Sequence, residues 1–157
     1  MISRYYTNKL RQPDDKKLVS CDPQGHRVYK MEREIVGGSI NTHMSIEALR
    51  NITNHACRKL KVAAPKVRVV RSSKRLFGWC NCDGRIYLNK KRHGDNLGVL
   101  LHELAHWVVW VKCPEAEAHG PEFMGCYTDL MAAYKVLPKD CAKLLASRYG
   151  VVIGEYK

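Results

Sequence analysis

The stretch LLHELAHWV at residues 100–108 places two histidines and a glutamate, His102, Glu103 and His106, inside an apolar run. Histidines four apart lie about one turn apart on the same face of a helix, because the repeat is ~3.6 residues. That separation lets both imidazoles converge on one ion. Glu103, next to the first histidine, can reach a water near that ion without being a ligand. This is the HExxH arrangement, used to hold zinc on two histidines with the glutamate as general base. A metal ion would explain why groups that are costly to desolvate sit in a segment otherwise suited to burial. The competing reading is that all three lie on the wet face of an amphipathic helix and are solvated.

A catalytic zinc site takes three protein ligands and keeps one position open, whereas structural sites close with four, often cysteines. The third candidate is His119, in EAHGPEF, thirteen positions after His106. The break at Cys113–Pro114 lets the chain turn back, and Gly120–Pro121 restarts a helix with His119 at its beginning. Glu115, Glu117 and Glu122 compete for the same role. With zinc in place, the pKa of a bound water falls to near ~7. Glu103 would take its proton during attack on a carbonyl and pass it to the leaving amine. Tyr127 and Tyr134 are candidate oxyanion partners, with core packing as their competing role. An extended substrate could add to a sheet edge, with RIYLN, residues 85–89, as the candidate strand. HExxH fixes the water chemistry better than the substrate, so a non-peptide amide is a third option.

The other histidines, His26, His43, His55 and His93, read as solvated or hydrogen-bonded. Trp107 is expected to pack, and Trp110, one turn beyond His106, to reach the rim of the site. Cys80 and Cys82, in CNC, read as two residues on one face near a turn rather than as a metal knuckle.

These side chains need elements to hold them. Ile46, Leu49, Ile52, Ala56 and Leu60 recur at helical spacing, predicting a helix over 45–61 with Ser45 as N-cap. KVRVVR alternates charged and β-branched residues as a half-buried strand does. RLFGWC and RIYLN are two more short strands, and NCDG between them is a hairpin signal. Three strands after one helix predict a meander. The helix carrying the motif spans 94–111, capped by Asp95 or Gly94, with an apolar stripe of Leu97, Leu100, Leu101, Leu104, Val108 and Val111. Val99, His102, Glu103, His106 and Trp110 fall on another face. Pro121 opens a third helix running to about Val136, and a last short helix ends at Gly150. Residues 1–40 read as a turn- and strand-rich N-terminal extension: RQPDDKK and CDPQGH are turns, and HRVYKMEREIV is a strand or hairpin arm. The fold class is α+β: a small, mostly antiparallel sheet packed against the 45–61 helix and the HExxH helix, followed by C-terminal helices, over 41–157.

HELAHWV followed by HGPEF resembles the SprT-like (Spartan-related) family of small zincin metallopeptidases. The preceding order of helix, small sheet and IYLN-like strand fits as well. The resemblance covers roughly residues 45–136. It implies that His102, His106 and His119 bind Zn2+, that Glu103 is the catalytic base, and that the substrate is protein or peptide, acted on at or near DNA. Many members carry a C-terminal zinc ribbon with paired cysteines, a spacing that CNC lacks.

The bulk numbers allow this reading. At 157 residues with 45% hydrophobic content, the chain is the size of one domain and can bury a core. No apolar stretch is long enough to span a bilayer, and MISRYYTNKLRQPDDKK has no secretory h-region. Seven cysteines without a paired framework suit reduced thiols, so the expected location is cytoplasmic. The net charge of +12 is concentrated in 41–94, where thirteen basic residues face two acidic ones. Arg68, Arg71, Lys74, Arg75, Arg85, Lys90, Lys91 and Arg92 would form a surface for DNA or another polyanion, or simply a solvated face. The expectation is a zinc-dependent metallopeptidase. Its rival is a non-catalytic nucleic-acid-binding or assembly protein that keeps a zincin fold with structural zinc.

Overall fold

The computed structural model describes residues 22–35 and 42–157. RQPDDKK and the Gly37–Gly38 pair lie outside the described residues. The elements run α1 (Gly25–Ile35), α2 (Ile46–Leu60), β1 (Lys66–Val70), β2 (Gly78–Asn81), β3 (Arg85–Asn89), α3 (Leu97–Lys112), α4 (Pro121–Ala133) and α5 (Lys139–Tyr149). The class is α+β, as expected.

The stretch read as a strand or hairpin arm is helix α1. Val28, Met31 and Ile35 recur at helical spacing, and Val28 and Met31 are fully buried in the main core. That period outweighs the local alternation in RVYKM. The turn at Asp22–Gly25 is present, closed by a hydrogen bond from Gly25 N to Asp22 O at 3.2 Å.

Helix α2 starts as expected, with the Ser45 hydroxyl accepting from Ala48 N at 3.1 Å. It ends at Lys61, which adopts the left-handed conformation with φ 56°.

The sheet is not a meander. Its order is β1-β3-β2, with β1 parallel to β3 and β2 antiparallel to β3. The buried carboxamide of Asn89, at the end of β3, accounts for this. It donates to the carbonyls of Ser72, Lys74 and Leu76 and accepts from Ser72 N. The loop after β1 is thereby curled over the end of β3 and delivered to its far side. Gly94 belongs to the same lock, since a Cβ there would lie 1.8 Å from Phe77 O. The β2–β3 hairpin forms as read, with Gly84 at φ 77°. The result puts β3 in the centre and leaves β2 at an edge, so RIYLN is not the edge strand.

Helix α3 is capped by Asn96, not Asp95 or Gly94: its side chain accepts from Val99 N at 3.0 Å. Asp95 instead bonds His43 Nδ1 at 2.7 Å. The helix is buried nearly all round rather than along one stripe, because α1 and α4 cover the face that carries the motif. Val111, read as part of the stripe, is 44% exposed. Helix α4 stops three residues before Val136, where Tyr134 caps it and Lys135 turns left-handed with φ 57°. Gly150, also left-handed, ends α5 as read. The six described cysteines are unpaired, and among the described residues no helix is long and apolar enough to cross a membrane.

Candidate metal centre

Helical spacing brings His102 and His106 together, and their Nε2 atoms lie 3.0 Å apart. His119 enters from the segment before α4, where Gly120 and Pro121 start the helix, and its Nε2 is 3.4 Å from that of His102. The three ligand atoms all lie within 4.8 Å of one another. Imidazole nitrogens around a tetrahedral ion at ~2.0–2.1 Å sit about 3.3 Å apart, close to the 3.0 and 3.4 Å that separate His102 from the other two.

His102, His106 and His119 are 7%, 5% and 0% exposed. His102 donates from Nδ1 to Glu32 at 2.5 Å, and His119 donates from Nδ1 to Asp22 at 2.6 Å. In the neutral rings those bonds leave Nε2 as a lone pair. Two such lone pairs facing each other at 3.4 Å repel unless a cation or proton lies between them. A metal ion satisfies all three nitrogens at once.

The surroundings complete the site. Phe123 of α4 packs on the rings of His106 and His119 at 4.5 and 4.9 Å between centroids. Tyr29 of α1 stacks on His102 and meets His119 edge-on at 4.9 Å. The residue is 42% exposed, yet its hydroxyl end is enclosed. Burial raises that phenol far above its ordinary pKa, and the charges of Glu103, Glu32 and Asp22 raise it further. Burial also pulls on Glu32, but the His102 ring and hydrogen bonds from His102 and Tyr127 outweigh it. Together with His119 they hold Glu32 below the usual carboxylate range. Tyr127 is buried edge-on to His102, and its hydroxyl is committed to Glu32. Tyr134 is committed elsewhere, donating to Ile52 O at 3.1 Å and meeting His55.

Glu103 lies on α3 against β2. A Cβ at Gly78 would come within 3.0 Å of its Cγ, so the glycine makes room for it. Cys80, also on β2, is buried near Glu103; burial, with help from that carboxylate, pushes its thiol well above its ordinary pKa. Cys82 is exposed in the turn, so the two cysteines do not share an environment. Trp107 packs as read, its indole N–H donating to Ala63 O at 2.7 Å.

The SprT-like family matches residues 46–143. The chain belongs to the SprT-like family. No curated protein and no solved structure matches it significantly. Within this SprT-like chain, α1 and the segment after residue 143 flank the matched region. The sequence reading missed Asp22, Tyr29 and Glu32, all of which precede it. The helical period of Val28, Met31 and Ile35 was the available signal.

The eight basic residues are all exposed. The structure divides them. Arg71, Lys90 and Lys91 line an open cleft of about 470 Å³ with Ser72, Ser73, His43 and His93. Arg68 lies opposite Tyr87, which lies opposite and stacks on Trp79, and Lys74 sits over Trp79 at 4.4 Å. Arg85 pairs with Asp83 at 2.9 Å.

Proposed function

We propose that this SprT-like protein is a zinc-dependent metallopeptidase, with His102, His106 and His119 holding the ion and Glu103 as general base. The observation that carries the reading is the convergence of three buried Nε2 atoms at ion-ligand spacing, with Glu103 on the same helix. Three imidazoles fit zinc and leave a coordination position for chemistry, which four-ligand structural sites do not. Zinc held there supplies Lewis acidity, activating water and polarising a carbonyl. Glu103 accepts the proton from water and returns it to the leaving nitrogen. Tyr29, beside Glu103 and the ligand rings, is the hydroxyl we assign to the oxyanion, in place of Tyr127 and Tyr134. The substrate strand we assign to the edge of β2, which borders Glu103, in place of RIYLN. The cleft lined by Arg71, Lys90 and Lys91 would bind a polyanion such as DNA.

The test compares wild type with Glu103→Gln on unfolded and DNA-bound protein substrates. The variant should lose about 10²–10⁴-fold in kcat and keep one equivalent of zinc. A wild type that cleaves none of these substrates while holding zinc would support a non-catalytic protein with structural metal.

A further inference from the structure

Two of the three candidate ligands receive their hydrogen-bonding carboxylates from α1 and the turn that precedes it, outside the region matched by the family. Glu32 and Asp22 lie 70 and 97 residues from His102 and His119 in sequence, yet each meets the Nδ1 of its histidine. Both carboxylates are largely enclosed, with side chains 16% and 22% exposed. Placing charge there is costly unless it is matched.

Helix α1 is fixed in that position from two directions. Val28 and Met31 are buried in the core. The C-terminal segment then holds its polar side. Arg148 donates to Glu34 at 2.8 Å, and the Tyr149 hydroxyl donates to the same carboxylate. The buried side chain of Gln24 accepts from Val152 N at 2.9 Å and donates to Val152 O at 3.2 Å. All of these residues lie outside 46–143.

We infer that α1, latched by the C-terminal segment, is part of the metal centre, with Glu32 and Asp22 as positioning residues that set the tautomer and ring orientation of His102 and His119. The inference rests on the metal reading of the three histidines. A carboxylate on Nδ1 keeps the proton there, aims Nε2 at the ion and raises its basicity. The flanks of the family domain therefore tune how tightly the metal is held.

The experiment uses the full chain and zinc alone. Zinc dissociation constants are measured by competition with a chromophoric chelator for wild type, Glu32→Gln, Glu32→Ala, Asp22→Asn and, as a charge control, the exposed Glu155→Gln. Glu32→Gln and Asp22→Asn should each weaken zinc 10–100-fold. Glu32→Ala, which also removes the hydrogen-bond acceptor, should weaken it more, and Glu155→Gln should match wild type. Cobalt-substituted protein should show altered visible bands in Glu32→Gln and not in Glu155→Gln. Melting in chelator reports folding without metal, and zinc-induced stabilisation should shrink in the Glu32 and Asp22 variants even where the apo melting temperatures agree. Wild-type zinc constants and unchanged cobalt spectra in Glu32→Gln and Asp22→Asn would overturn the inference while leaving the metal site intact. A wild type that binds no zinc would overturn the metal reading itself, and this inference with it.

Discussion

Glu103 is held between its own helix and Gly78 of β2, and this contact has a measurable consequence. A methyl at Gly78 would lie 2.8 Å from Val99 Cγ1, 3.0 Å from Glu103 Cγ and 3.1 Å from Tyr87 O. The backbone oxygen cannot retreat, so Val99 and Glu103 must shift. Gly78→Ala should therefore destabilise the protein by about 1–3 kcal/mol and lower kcat with zinc content unchanged. Denaturant titration, metal analysis and turnover measured on one preparation check this. His102, Glu103 and His106 were legible because one helical repeat relates them. His119 was legible because a histidine stands just before a helix start after a chain break. Asp22, Tyr29 and Glu32 were not, because no short-range spacing connects residues 22–32 to the three histidines; only tertiary packing does.

Helix α3 must keep the two histidines on one register, and its N-terminus sets that register. Asn96 supplies the cap by accepting from Val99 N, and it stands six residues before His102. Asn96→Ala should cost about 1 kcal/mol in global stability, read by chemical denaturation of the metal-free protein. Loss much smaller than this would mean that burial alone fixes the helix start. The cap was misread by one or two residues because Gly94, Asp95 and Asn96 are all acceptable cap types, and only the pairing of Asp95 with His43 decides among them. The sheet order was misread for a comparable reason. Strand existence follows from alternation and from the NCDG turn. Strand order depends on the buried side chain of Asn89, whose four hydrogen bonds to the 72–76 loop leave no local trace in the sequence.

Across the whole molecule, the basic excess of residues 41–94 was visible as charge, but its division into a cleft and an aromatic-backed sheet face was not. If Arg71, Lys90 and Lys91 each neutralise one phosphate of a duplex, log affinity should fall with log salt at a slope of about −2.7. Anisotropy titrations at several salt concentrations test this, and Lys90→Ala combined with Lys91→Ala should flatten the slope. Affinity insensitive to salt would remove the polyanion role and leave the peptidase proposal standing.

The peptidase proposal depends on three imidazoles meeting on one ion. Zinc K-edge X-ray absorption on the purified full chain tests that most directly. One zinc per chain is expected, with a first shell of nitrogen and oxygen at ~2.0–2.1 Å and imidazole outer-shell scattering that His119→Ala reduces or abolishes. A sulfur shell at ~2.3 Å, or a first shell identical in wild type and His119→Ala, would contradict it.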